Sequence, residues 1–220
     1  MATTGEHHPA FEEYCECIFE LREDHIDVIR ARVADRLGVS RPSVSEMIKR
    51  MEIEGLIVVR DTKISLTSDG DELAERVVRR HRIAERFLTD VLGLSWATAH
   101  HEAGKWENIM NQEVESAMNR VLHNPTTCPH GNPIPGSSYR EERLSKLSDV
   151  VEGKLFTINR IPEELEFAPG ILEILEQANL KPGQSGTVVT SNKDGSRIVR
   201  IDNNDVALDE FTSARILVLA

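Results

Sequence analysis

The sequence predicts a mainly α-helical chain with a small β domain: an N-terminal winged helix-turn-helix, a helical middle region and a C-terminal β-barrel. Three observations predict this. Residues 28–67 read helix, helix, strand, strand, the winged-helix order. Amphipathic helical spacing then continues from Ser68 to about residue 122. After residue 150 the strand-like runs LFTI, GTVVT, RIVRI and ARILVL alternate with turns such as Asn192-Lys193-Asp194-Gly195.

Taken in order, apolar residues at 11, 14, 15, 18, 19 and 21 with acids between them predict an amphipathic first helix. A second helix is expected from Val28 to Leu37, broken by Gly38. Ser40 followed by Arg41-Pro42 reads as an N-cap with proline in the first turn. That third helix carries Val44, Met47, Ile48 and Met51 at core spacing and ends near Gly55. Strands are expected at 56–60 and 64–67 around Asp61-Thr62-Lys63. Ser68 with Asp71 opens a long helix through Leu73, Val77, Val78, Ile83, Phe87 and Leu88. Ser95 caps another to about Met110, and one more is expected near 112–122. The proline-rich loop HNPTTCPHGNPIPGSS then marks a domain boundary, and a single helix near 169–178 interrupts the barrel strands.

A hydrophobic share of 40% in 220 residues suffices for ordinary cores. No apolar run is long enough to span a membrane and no leader-like pattern opens the chain, so a cytoplasmic location is expected. Three cysteines make no disulfide framework and fit a reducing compartment. The net charge of −11 is concentrated at the two ends, leaving the middle nearly neutral, so it does not exclude a DNA-binding face.

Two constellations carry chemistry. On the winged-helix reading, residues 40–52 form the helix placed in the major groove of double-stranded operator DNA. Ser40, Arg41, Pro42, Ser43, Ser45, Glu46 and Lys49 then face the duplex, with Arg60 and Lys63 of the wing on phosphates. A domain of this shape also serves as a protein-interaction module, and a DNA reader of this type binds as a homodimer. The second constellation is His81 and Glu85 at i,i+4, with His100, Gly104, Glu107 and Asn108 along one face of the next helix. Imidazole with carboxylate suits Fe²⁺ or Mn²⁺. By themselves His81 and Glu85 fit better as a surface pair beside Arg79, Arg80, Arg82 and Arg86, with His100 an exposed helix residue. Glu13, Glu16 and Cys17 of the acidic first helix are further ligand types, whereas solvation accounts for Glu12 and Glu20. A metal-dependent hydrolase is the alternative of another class, although no phosphate-cradling loop, nucleophile elbow or HExxH is present.

The winged helix RARVADRLGVSRPSVSEMIKRMEIEGLIVV, RHRIAER, HEAxxWE and GNPIPG together resemble the diphtheria-toxin-repressor family of iron- and manganese-dependent transcriptional regulators. The resemblance covers nearly the whole chain. It implies a dimeric repressor with a C-terminal SH3-like domain, controlling metal-ion homeostasis genes. The implied division is a DNA-binding domain at 1–72, a dimerisation and metal-binding domain at 73–138, a linker at 139–149 and the SH3-like domain at 150–220. It implies an ancillary metal site of His81, Glu85 and His100. The positions that align with that site's ligands in the SH3-like domain, Ala168 and Ile171, have no ligating side chain, and Glu166 or Glu173 is the substitute. It implies an activation site of Glu13, Glu16, Glu107, Asn108 and the Gly104 carbonyl, with Cys17 as a further ligand. That mostly oxygen set favours Mn²⁺ over Fe²⁺. Gly104 and Asn108 stand where iron-type members carry Cys and His, which leaves a regulator uncoupled from metal as the other reading. For the SH3-like domain, a stabilising appendage and a module docking on the metal region or on segment 124–138 are both open. Cys128 and His130 of that loop read as structural, since two ligands are too few for a zinc site.

Overall fold

The computed structural model describes residues 9–220 and divides into two compact units, 1–80 and 81–220, with the division inside one long helix. The first unit contains α1 (Pro9–Glu23), α2 (Arg30–Leu37), α3 (Arg41–Ile53), β1 (Ile57–Arg60), β2 (Lys63–Leu66) and the start of α4 (Ser68–Arg86). Phe11, Tyr14, Cys15, Ile18 and Leu21 of α1 fall on one helical face and meet Val33, Val44, Ile48, Met51, Leu56 and Ile64 in one core. Gly38 ends α2 in the left-handed conformation, φ 63°, which is cheap only for glycine. Ser40 caps α3 by accepting from the Ser43 N–H, with Pro42 in the first turn.

The second helix begins two residues later than the spacing predicts, for a specific reason. Ile29 is extended and bridges Lys63, and the Val28 carbonyl accepts the Ile64 N–H at 2.9 Å, so 28–29 edge the β1–β2 hairpin instead. Lys63 likewise lies in β2, paired with Arg60, and Asp61 alone takes the left-handed turn position.

The second unit holds the rest of α4, a π-helical turn at Phe87–Val91, α5 (Trp96–Trp106) and α6 (Gln112–Val121). Ile83, Ala84, Leu88, Ala99, Ala103, Met110, Met118 and Ile134 form its helical core. The SH3-like domain follows: β3 (Ser145–Lys146), β4 (Leu155–Arg160), α7 (Glu163–Glu166), α8 (Ile171–Gln177), β5 (Ser185–Ser191), β6 (Arg197–Ile201), β7 (Asn204–Leu208), α9 (Glu210–Ser213) and β8 (Leu217–Leu219). All pairings are antiparallel, in the order β3-β8-β4-β5-β6-β7. Register shifts at Ile158/Arg160 and Val188/Thr190 bend the sheet around its core.

Two expectations change here. β3 lies in the stretch read as linker and adds a strand next to β8. The proline-rich loop is not an exposed boundary: Cys128, His130 and Asn132 are completely buried. Its backbone is clipped to the end of β4 by the Ile161 N–H donating to the His130 carbonyl at 2.8 Å. Gly131 permits this approach, because any Cβ there would run into the Asn159 carbonyl, and its φ of 91° is one that side chains resist.

A candidate metal centre and a reading helix

Within the second unit, one helical turn of α4 places His81 and Glu85 on the same side, and α5 presents His100 to them. The Glu85 Oε1 lies 2.9 Å from His100 Nδ1 and 3.4 Å from His81 Nε2. Neither is a surface pair, since His81 is 7% and Glu85 1% exposed. Arg82, between them in sequence, is also fully buried, donating to the Pro133 carbonyl and to Glu163 Oε1 at 2.8 Å.

The cluster extends further than the sequence indicates. From the proline-rich loop, His130 brings Nδ1 to 3.6 Å from Glu85 Oε1, with Cys128 Sγ 3.8 Å from the same nitrogen. From α7, Glu166 brings Oε2 to 2.7 Å from His130 Nδ1 and 3.3 Å from His100 Nδ1. Three overlapping sets of ligand atoms result, each within 4.8 Å: His81, Glu85 and His100; Glu85, Cys128 and His130; His100, Glu163 and Glu166. Reading Cys128 and His130 as too few ligands counted only local neighbours. Of the two substitutes for the missing domain ligands, Glu166 reaches the cluster and Glu173 is exposed on α8.

The charges are mutually dependent. Burial drives His81, His100 and His130 toward neutrality, but the carboxylates against them prevail and raise all three, His100 to about 11. Burial pushes Glu85 up, yet His130 and His81 hold it well below the usual carboxylate range. Glu166 is lowered as well, against its burial, chiefly by His130. A ring that keeps its proton supplies positive charge to these buried carboxylates. Among the described residues, Glu85 Oε2, Glu163 Oε2 and His130 Nε2 are nonetheless buried with no hydrogen-bond partner, at a cost of about 1–3 kcal/mol each. Carboxylate oxygens and imidazole nitrogens converging around such orphaned atoms fit a divalent cation, which takes the place of the protons.

The activation-site residues of α5 are arranged differently. Glu107, the C-cap of α5, binds His81 Nδ1 through Oε2 at 2.5 Å, leaving His81 Nε2 for the cluster. Asn108 is exposed, and its amide nitrogen donates to the Gly104 carbonyl at 3.1 Å, so that carbonyl is engaged within its own helix turn. In the first unit, Glu13 is exposed and Glu16 half-buried on α1. Cys17 is 2% exposed in the core, and burial pushes its thiol well up, which suits packing and not a thiolate ligand. Glu20 is not solvated either: it is buried and paired with Arg36 at 3.3 Å.

Arg41, Pro42, Ser43, Glu46 and Lys49 lie on the exposed side of α3, opposite the buried Val44, Ile48 and Met51. The serine hydroxyls are partly committed: Ser40 Oγ and Ser43 Oγ share a 2.7 Å hydrogen bond, and Ser45 Oγ donates to the Arg41 carbonyl at 3.0 Å. In the wing Arg60 is exposed, whereas the Lys63 ammonium is paired with Asp27 at 2.8 Å.

Known proteins are similar to this chain in sequence and fold. The family described as "Iron dependent repressor, N-terminal DNA binding domain" matches residues 8–63, and "Iron dependent repressor, metal binding and dimerisation domain" matches residues 67–136. The iron-dependent repressor IdeR of Mycobacterium tuberculosis is 36% identical over 209 residues, covering 90% of this chain and 91% of that protein. The diphtheria toxin repressor of Corynebacterium jeikeium is 48% identical over 126 residues, 57% of this chain and 52% of that protein. A solved manganese-dependent transcriptional repressor in complex with manganese superposes with a TM-score of 0.85 at 26% identity, over 96% of this chain and 99% of that one. With its DNA-binding winged helix, its divalent-metal donor set and its SH3-like domain, the chain belongs to the iron-dependent (diphtheria-toxin) repressor family, metal-dependent transcriptional regulators and not hydrolases.

Proposed function

We propose that the chain is a cytoplasmic homodimeric repressor whose affinity for operator DNA rises when a divalent ion binds, with Mn²⁺ favoured over Fe²⁺. One observation carries the reading: buried carboxylates and imidazoles from α4, α5, the proline-rich loop and α7 converge on one another, with partnerless ligand atoms among them. His81, Glu85, His100, His130 and Glu166 are the residues proposed to hold the ion. When bound, it supplies positive charge to the carboxylates in place of any protons on the histidines, whose proton affinity those carboxylates raise. Glu13, Glu16, Glu107 and Asn108 remain the proposed activation set that the resemblance implies, and their oxygen donors support manganese. The solved relative named for manganese supports the same choice, while the curated relative IdeR is named for iron.

For the DNA contact, Arg41 and Lys49 of α3 and Arg60 of the wing are the exposed cations proposed to meet phosphates and bases. Two-fold pairing is proposed through α6, where Val114, Ala117 and Val121 recur at i, i+3 and i+7, with exposed Ile109 just before the helix. A ligand raises DNA affinity only by its preference for the competent arrangement, so metal and DNA are linked reciprocally.

The test is fluorescence anisotropy of chelator-stripped protein on DNA upstream of its own gene, titrating Mn²⁺ and, anaerobically, Fe²⁺. Saturable binding that requires metal, at lower Mn²⁺ than Fe²⁺, is expected. Equal binding with and without metal would show that the Gly104 and Asn108 departures have uncoupled DNA binding from metal.

A further inference from the structure

We propose that Asn132 is a positioning residue that makes Glu166 a one-oxygen ligand and thereby sets the coordination number of the metal cluster. The inference rests on the metal reading above. Asn132 is completely buried in the proline-rich loop, and three of its side-chain hydrogen-bonding positions are used. Its amide nitrogen donates to Glu166 Oε1 at 2.5 Å and to the Ile161 carbonyl at 3.0 Å, while its oxygen accepts from Arg160 Nε. Two acceptors on one side and a donor on the other fix which way the amide points.

This divides the Glu166 carboxylate between two tasks. Oε1 is held by Asn132, and Oε2 alone faces His130 Nδ1 at 2.7 Å and His100 Nδ1 at 3.3 Å. Glu85 is the contrast within the same cluster. Its Oε1 faces the histidines and its Oε2 is buried without a partner among the described residues, so neither oxygen is held away by an amide as Glu166 Oε1 is. The Ile161 and Arg160 contacts tie Asn132 to the end of β4, just ahead of α7, which carries Glu166. The same loop therefore supplies His130 as a ligand and, two residues on, the group that aims the ligand from the SH3-like domain.

Co²⁺ reads this directly, since its visible absorption bands weaken as coordination rises from four or five ligands to six. In Asn132→Ala, Glu166 Oε1 is released and can join Oε2 on the ion, so weaker bands are expected. Affinity should also fall by about tenfold or more, the usual cost of losing a group that orients a ligand. Asn132→Asp keeps the size and the Arg160 contact but replaces the donor facing Glu166 with an acceptor, and a comparable loss of affinity is expected. Melting in chelator, followed by circular dichroism, establishes that each variant is folded before it is titrated. Folded variants with wild-type bands and affinity overturn the proposal. Should both fail to fold, a crystal structure of the unaltered chain with Co²⁺ decides: Glu166 bound through Oε2 alone, with Oε1 on Asn132, supports it, and two-oxygen or no binding overturns it. A wild-type protein that yields no Co²⁺ spectrum overturns the metal reading itself, and this inference with it.

Discussion

The reading helix and the metal cluster use polar side chains in opposite ways. On the N-terminal half of α3 they face outward, and the serines bond within a few residues: Ser40 to Ser43, Ser45 to Arg41. In the cluster they are buried, and local contacts such as Cys128 to His130 are joined by bonds across long stretches of chain: Glu85 to His100, Asn132 to Glu166, Arg82 to Glu163. Water satisfies a reader until DNA arrives, so its free residues cost little while waiting. A buried cluster has only its own members, and every charge in it must be answered by a proton, a partner or a cation. The two regions should therefore differ sharply in their response to mutation.

The largest effect is expected at the centre of the cluster. Glu85→Ala removes the carboxylate facing three histidines and should weaken Mn²⁺ binding by more than about 100-fold, beyond the loss caused by an orienting group. Calorimetric titration measures it, and a change of under threefold would break the comparison. Next is pH. Because the carboxylates raise His81, His100 and His130, these rings keep their protons to higher pH than a free imidazole, and a cation must displace the protons they hold. Mn²⁺ affinity should accordingly fall as pH decreases and rise as it increases, with net proton release on binding. Titrations in buffers of different ionisation enthalpy detect that release, and proton uptake would contradict the assignment.

Effects on the reader are smaller. Ser40→Ala removes the α3 cap and should cost about 1 kcal/mol in urea unfolding while leaving metal affinity untouched. Smallest is Lys49→Ala, which should lower the slope of log affinity for DNA against log salt by about one, the signature of a single phosphate contact. An unchanged slope would remove Lys49 from the interface.

The same contrast explains what was legible in the sequence. Winged-helix order, the Ser40-Arg41-Pro42 start and the His81/Glu85 spacing are local patterns, and each sits in the structure as its own neighbours dictate. What was missed depends on distant partners. Cys128 and His130 are only two ligand types in a turn until folding brings Glu85 and Glu166 to them. Arg82 and Glu20 resemble surface charges until Glu163 and Arg36 are seen to pair with them in the interior. Val28 and Ile29 have the apolar character of a helix start, but the hairpin recruits them as an edge. Cys17 has the chemistry of a ligand, yet its place on the apolar stripe of α1 turns it into the core.

On the assignment proposed above, residues from outside the α4–α5 pair complete the metal site. Electron paramagnetic resonance tests it most directly, because free Mn²⁺ gives a six-line signal that is lost on binding. Titrated this way, His130→Ala and Glu166→Ala should each weaken Mn²⁺ binding about as much as His100→Ala does. If both bind Mn²⁺ like the unaltered chain while His100→Ala does not, the site ends at α4 and α5, and His130 and Glu166 are not ligands.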